Sequence, residues 1–289
     1  MGNPPGTETV PISVVIPTVG RPRLVAQALE SLVRCDPRAA EVLVVDQSAG
    51  DSVAEVVKRF AHIGARRVPL AESNLPLARN VGLKEVREEV VLFIDDDCTV
   101  DEAWARTAWR LMDDDPDRIV TGRVLGTSPD VPSVRHDEER HDHTGEPRYE
   151  VLRPNNMGVG RRALLEFDGF DERLAIAGED LDLCYRWLRA GRRLWFEPEL
   201  VVWHHDWRTE AELSQLYRRY WYGRATFYGK HLSRGDAGVL PFVARDLKLG
   251  MRAVAGAVVR RESLGMPFAR LRLLFAGIAR GIREWRARP

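Results

Sequence analysis

Residues 90–99 read VVLFIDDDCT, an apolar run that ends in three consecutive aspartates. A run of β-branched and large apolar residues without polar alternation is the pattern of a strand covered on both faces. Two other runs share it, ISVVIP at 12–17 and EVLVVD at 41–46, and the second also ends in an acid, Asp46. Between the three, the spacing predicts helices over 22–34, 51–62 and 75–86, with Pro22 and Pro76 suited to a first helical turn. Strands and helices alternating through short connections describe repeated βαβ units. The expected fold class is therefore α/β, a Rossmann-like, mostly parallel sheet flanked by helices. Asp46 and Asp95 then stand at the carboxyl edge of the sheet, where open α/β folds bind their ligands. Taken singly, Asp46 reads equally well as a helix cap or turn residue.

Further along, the polar stretch 128–148, which contains HDEERHDHTGEP, has little periodicity and reads as a surface loop or lid. The spacing of its His136, His141 and His143 matches no zinc signature. Helices are expected over 161–167, 179–190 and 209–231, with a strand ending at Trp203, and after Gly235 the chain turns to Leu, Ala and Arg. This divides it into a leader (1–10), a main domain (11–232) and a basic amphipathic helical extension (233–289).

The composition describes an ordinary globular protein, with 289 residues, 44% hydrophobic and 30% charged, enough to bury a core without disulfides. Cys35, Cys98 and Cys184 are odd in number and outside any CxxC spacing, which argues against a disulfide framework or a cysteine zinc site and for a reducing, cytoplasmic setting. The longest stretch without charge, 9–20, is shorter than the roughly 18 to 20 residues of a spanning helix. The start, MGNPPGTETV, lacks the basic-then-apolar order of a secretory signal.

The formal net charge of zero excludes a strongly basic nucleic-acid binder, yet it conceals an asymmetry. Residues 241–289 hold 11 basic and 3 acidic residues, a net of +8 that leaves −8 on the first 240. In the last helix Leu274, Phe275, Ile278, Ile282 and Trp285 recur at helical spacing, with Arg280 opposite and Arg272 and Arg283 flanking them. Such a stripe suits an anionic membrane surface, a second subunit or the catalytic domain itself.

Three constellations carry chemistry. Clustered aspartates cost free energy unless a cation or ordered donors compensate, and oxygen ligands favour Mg²⁺ or Mn²⁺. In GEDLDLCYRWLRAG, 178–191, Glu179 and Asp180 open a helix whose N-terminal dipole keeps a carboxylate ionised and fit for a general base. The plainer reading there is an acidic first turn completed by Asp182. In VVWHHDW, 201–207, His204 and His205 follow an apolar strand, where an imidazole can complete an oxygen-rich metal site. No P-loop and no GxGxxG follow a strand, so a nucleotide would be held otherwise, by Thr18 and Arg21 in IPTVGRP and by Arg79 in NLPLARNVG. The aromatic group QLYRRYWYG, 215–223, adds Tyr217, Tyr220, Trp221 and Tyr222, of which one or two are expected to face an acceptor.

In order along the chain, VVIPTVGRP, VLVVDQS, NLPLARNVGL, FIDDDC, NNMGVGRRALLEFDGFDE, GEDLDLCYRWLRAG and ELVVWHHDWRT resemble the family 2 glycosyltransferases, which have the GT-A nucleotide-diphospho-sugar transferase fold. The resemblance covers about residues 11–231. It implies nucleotide contacts from Pro17, Thr18, Arg21, Asp46, Arg79, Asp95 and Asp96, with Asp95 on the ribose. It implies a Mn²⁺ or Mg²⁺ ion on Asp97 and His204, with Asp180 as base and Glu179 supporting it. Asn156, Gly158, Trp203 and Trp221 would face donor or acceptor. The implied reaction is inverting transfer from a UDP-, dTDP- or GDP-sugar to a glycan, lipid-linked or small-molecule hydroxyl. The sequence departs from the family where Gln47, Ser48 and Ala49 replace the usual Gly-Ser turn after Asp46.

Two rival readings compete. DDDCT also satisfies the DxDxT of haloacid-dehalogenase-type phosphatases, with Asp95 as nucleophile and Asp97 as acid. That motif normally follows the first strand, however, and no lysine stands between Lys84 and Lys230 to complete the phosphatase set. A non-catalytic nucleotide-sugar-binding module would be expected to lose Asp97 or Asp180, and both are present.

Overall fold

A computed structural model describes residues 8–126, 136–145, 148–205, 208–261 and 263–286. Its contacts separate two compact units, the first formed by 1–172 with 183–207 and the second by 173–182 with 208–289. The expected boundary after residue 232 falls near the end of a long helix that groups entirely with the second unit.

In the first unit the three apolar runs form β1 (Thr9–Thr18), β2 (Arg38–Asp46) and, after β3 (Ala65–Pro69), β4 (Val90–Phe93). They are followed by β5 (Cys98–Val100), β6 (Ile119–Gly126), β7 (His141–His143), β8 (Met157–Gly160) and β9 (Leu194–His204). The sheet order is β3-β2-β1-β4-β8-β6-β9-β5, with β7 paired to β9. β1 to β4 are mutually parallel, β8 is antiparallel to both β4 and β6, and β6 is parallel to β9. Every strand except β5, β7 and β8 therefore points the same way, the mostly parallel sheet expected.

Both faces of the sheet are covered, which explains the apolar runs. Val14, Ile16, Val42, Val44 and Leu92 pack on one side against helices α1 (Pro22–Val33), α2 (Ser52–Lys58) and α4 (Trp104–Asp114). Val15, Leu43, Val45, Val91 and Phe93 pack on the other against α3 (Leu75–Glu85), α5 (Arg161–Glu166) and the later part of α6 (Glu179–Arg189). Neighbouring residues thus serve opposite cores, as the two-residue strand period requires.

Two elements differ from expectation. α2 stops at Lys58, short of residue 62, and a 3₁₀ turn over Ala61–Ile63 leads to Gly64 at φ +72°, where a Cβ would stand 2.7 Å from the Ala40 carbonyl. The stretch expected to be a loop or lid contains β7: His141 pairs with Phe196 of β9, and Arg193 Nη2 holds Asp142 Oδ2 at 2.6 Å. Backbone pairing to an existing strand needs no apolar run, which is why the sequence showed none. Residues 127–135 and 146–147 of that stretch lie outside the described residues.

The second unit holds α7 (Glu210–Ser233), α8 (Leu240–Arg260) and α9 (Gly265–Arg286). Thr209 and Glu212 form a reciprocal capping box that starts α7. α7 and α9 approach closely through small residues: a Cβ on Gly277 would fall 2.5 Å from Ala225 Cβ, and one on Gly229 would collide with the Ile278 carbonyl. Part of the apolar stripe of the last helix is used in this packing. Leu274 and Trp285 are buried, whereas Phe275 is 59% exposed on another face. Among the described residues no helix is long and apolar enough to cross a membrane.

Candidate active site

The carboxyl ends of β1 and β4 and the end of β9 bring most of the expected residues of the first unit together. Thr18, the last residue of β1, donates its hydroxyl to Asp96 Oδ2 at 2.5 Å. Arg21, just beyond Pro17 and Thr18, places Nε 2.9 Å from Asp96 Oδ2 and Nη1 3.9 Å from Asp97 Oδ2. Asp96 is 1% exposed, and burial pushes its carboxyl up to about 7, with the nearby Arg21 charge opposing that shift and Asp97 adding to it. Asp96 therefore acts as the internal strut that anchors Thr18 and Arg21.

Asp95 is more open, with 31% of its side chain exposed, and accepts a 3.0 Å hydrogen bond from Arg79 Nη2 of α3. The Arg79 guanidinium also lies 5.4 Å from the Phe170 ring centroid. The adjacent Asn80 is spent on structure, its side chain bonded to the backbone of Phe170 and to Glu172 Oε1.

Asp97 Oδ1 faces His204 Nε2 at 3.6 Å, with the two side chains 4% and 5% exposed. The His205 N–H donates to the Asp97 carbonyl at 2.8 Å, which ties the acidic turn to the end of β9. Among the described residues no group of three or more His, Cys, Asp or Glu side chains gathers as a complete ion cage. One carboxylate and one imidazole form a partial donor set that phosphate and water oxygens can complete, and this set suits Mn²⁺ or Mg²⁺.

Asp46 is fully buried at the end of β2 and is held from three directions. Ser48 donates its backbone N–H at 3.0 Å and its hydroxyl to Asp46 Oδ1, and Arg67 Nε reaches Oδ2 at 2.7 Å. Gln47 bridges strand and helix: its Oε1 accepts from the Asn74 N–H at 2.6 Å, and its amide donates to the Thr18 carbonyl at 3.4 Å. The Gln-Ser sequence after Asp46 thus builds its own turn. Arg67 went unnoticed in the sequence because β3, ARRVP, has no apolar run to mark it as a strand.

The expected donor and acceptor residues divide. Asn156 is fully buried, and its amide donates to the Arg123 and Leu200 carbonyls while accepting from Trp104 Nε1, so its polar atoms are engaged within the protein. Gly158 is likewise a packing residue, since a Cβ there would stand 2.8 Å from Leu92 Cδ2. Trp203 is 47% exposed on the strand face opposite to the buried His204.

In the second unit, Glu179 and Asp180 open α6 as expected, with Glu179 buried and Asp180 half-buried. Asp180 Oδ1 accepts the Leu181 N–H at 2.8 Å, which orients the carboxylate. Trp221 lies on α7 with the Arg270 guanidinium 5.4 Å from its ring centroid.

Residues 13–174 match the model of Glycosyl transferase family 2. The chain belongs to this family. Family 2 membership sets aside the phosphatase reading of DDDCT. A pre-mycofactocin glycosyltransferase of Mycobacterium tuberculosis is 30% identical over 98% of the chain, and the chain spans 59% of that relative's length. The Staphylococcus aureus TarS 1-349 complex with UDP-GlcNAc superposes with a TM-score of 0.59 at 16% identity, covering 95% of this chain and 89% of that one. GalNAc-T7 with UDP, GalNAc and Mn²⁺ gives 0.56 at 17% identity, covering 77% of this chain and 50% of that one. At these identities the two structures show the fold, the GT-A architecture of family 2.

Proposed function

We propose that the protein is a metal-assisted, inverting glycosyltransferase that moves a sugar from a nucleoside-diphosphate sugar to an acceptor hydroxyl. The observation that carries this is the cluster at the carboxyl edge of the sheet, where Thr18, Arg21, Asp96, Asp97 and His204 are linked by contacts of 2.5 to 3.9 Å. UDP is the preferred donor nucleotide, ahead of dTDP and GDP, because both structural neighbours named above were solved with UDP or a UDP-sugar.

Each residue has a chemical task in this reading. Asp46, buried and oriented by Ser48 and Arg67, meets the base. Asp95 holds the ribose, and Arg79 fixes its carboxylate. Asp97 and His204 hold a divalent ion, which when bound supplies Lewis-acid stabilisation of the departing diphosphate. Arg21 adds positive charge near the same anion. Asp180, at the N-terminus of α6, takes the acceptor proton, a contribution of roughly 10²- to 10⁴-fold for a positioned base. Attack from the face opposite the leaving group inverts the anomeric carbon in one displacement.

The acceptor is a glycan, a lipid-linked compound or a small molecule. The Mycobacterium tuberculosis relative is named for pre-mycofactocin, so a compound of that kind is the first acceptor to test. In this reading the protein works in the cytoplasm and, through α8 and α9, at an anionic lipid surface; the membrane part is supported by Val259, 83% exposed, and Phe275, 59% exposed, among exposed arginines. Failure to float with anionic vesicles would remove that placement.

Thermal shifts with UDP-, dTDP- and GDP-sugars, each with and without Mn²⁺, test the main reading. A ligand at 100 times its Kd adds about 2.7 kcal/mol. We expect a UDP-sugar to stabilise the protein, and Asp180→Asn to keep that stabilisation while losing transfer. If no nucleotide stabilises the chain under any condition, the transferase reading fails; if stabilisation occurs without transfer or hydrolysis, a non-catalytic binding module takes its place.

A further inference from the structure

The short segment that carries Glu179 and Asp180 is gripped at three points by the helices of its own unit. At its start, the Arg173 guanidinium lies 4.4 Å from the ring centroid of Trp285 near the end of α9. In its middle, Gly178, at φ +98°, lies so close to α7 that a Cβ would stand 2.8 Å from the Gly223 carbonyl oxygen. At its end, Asp182 Oδ1 accepts from Lys230 Nζ at 2.6 Å and from His231 Nε2 at 2.9 Å. The other ring nitrogen of His231 lies 3.3 Å from Asp236 Oδ2, and Lys230 Nζ is 5.9 Å from the same Trp285 ring.

This network has an unusual composition for a helical core. The Asp182 side chain is 0% exposed and that of Lys230 2% exposed. Buried ion pairs are weak contributors to stability, and apolar side chains of similar volume often serve as well or better. What charges add is direction. Asp182 stands two residues after Asp180, about 200° further round the helix, so that fixing one inward presents the other outward. Holding Asp182 therefore fixes the rotation and depth of the turn that displays Asp180.

We propose that Lys230 and His231 are positioning residues for the Glu179–Asp180 turn, acting through Asp182, with Trp285 of α9 as their backing. This rests on the reading of Asp180 as the base. A misplacement of about 1 Å can cost on the order of 100-fold in rate.

The test measures kcat, donor KM and thermal midpoint on the full chain for Lys230→Met, His231→Leu, His231→Gln, Asp180→Asn, the pair Lys230→Met with Asp180→Asn, and an apolar trio of Asp182→Leu, Lys230→Met and His231→Leu. We expect Lys230→Met to lower kcat by about 10- to 100-fold with donor KM within about two-fold. The trio should regain thermal stability while kcat stays low, and Lys230→Met should add nothing to Asp180→Asn. Recovery of kcat together with stability in the trio, or losses that multiply in the pair, would overturn the proposal in favour of a purely structural network. If Lys230→Met does not fold, the single variant His231→Leu, which removes the donor to Asp182, must still lower kcat at constant donor KM, and unchanged kcat there also overturns the proposal, whereas His231→Gln, which keeps a donor, should stay near the parent. Full activity in Asp180→Asn would instead sink the base assignment, a result separate from these outcomes.

Discussion

His204 Nε2 stands 3.6 Å from Asp97 Oδ1, so the last residue of β9 and the last acid of the 95–97 run face one another across the end of the sheet. The backbone bond from His205 to the Asp97 carbonyl keeps them in register. If this pair is the protein's share of an ion site, then Asp97→Asn and His204→Ala should each weaken Mn²⁺-dependent stabilisation by UDP. Metal-independent nucleotide binding should persist. Calorimetry with UDP, with and without Mn²⁺, reads the difference. Equal affinity with and without the ion in both the parent and the variants would dismiss the pair as a metal site.

Asn156 makes a separable prediction because its role is internal. Its amide joins Trp104 of α4 to the carbonyls of Arg123 and Leu200. Asn156→Ala would leave several buried polar groups unsatisfied, at about 1–3 kcal/mol for each group left unpaired. Denaturant titration should therefore show a marked loss of stability, while donor KM in the folded fraction stays unchanged. A raised KM with unaltered stability would return Asn156 to the ligand.

The contrast between these residues shows what a sequence can disclose. β1, β2 and β4 are covered on both faces, so burial wrote itself into unbroken apolar runs. β3 lies at the sheet edge and carries Arg66 and Arg67, whose side chains serve Glu41, Glu85 and Asp46, and nothing periodic marked it. The acids at the strand ends were legible because charge beside an apolar run has few structural reasons. The internal bonds of Asn156 were not legible because its three partners come from distant elements. Lys230 was passed over for the same reason: its partner Asp182 is 48 residues away, and only the folded helices place the ammonium in the core.

The cysteines allow a prediction about chemistry and pH. All three are free and buried. Burial pushes the Cys35 thiol from 9.0 up to about 12, and burial together with the neighbouring aspartates holds the Cys98 thiol well above the usual range. Native protein at pH 8 should therefore react only slowly with a disulfide reagent, and all three thiols should titrate rapidly once denaturant is added. Because the folded pKa is raised, the contribution of Cys35 to stability is fully present below about 9.0 and is lost as pH climbs from 9.0 towards about 12. The slope in that window is about 1.4 kcal/mol per pH unit. Rapid labelling of a native thiol at pH 8 would contradict this.

Arg67 supports a last prediction, since it holds the fully buried Asp46 carboxylate at the end of β2. Its Nε lies 2.7 Å from Asp46 Oδ2, its Nη2 donates to the Gly50 carbonyl at 3.1 Å, and 24% of its side chain remains exposed. Truncation to alanine would leave the Asp46 carboxylate with Ser48 but without a countercharge. Partial access to water moderates the penalty, so a stability loss of about 1–3 kcal/mol is expected. If Asp46 meets the nucleotide base as proposed, the functional consequence should be selective: a carboxylate free to rotate would recognise the base less well, raising donor KM several-fold while kcat at saturation holds. Arg67→Lys keeps the charge but not the guanidinium fork, so it should recover stability more than affinity. An Arg67→Ala variant that loses kcat at unchanged donor KM would place Asp46 in the chemical step and not in nucleotide recognition.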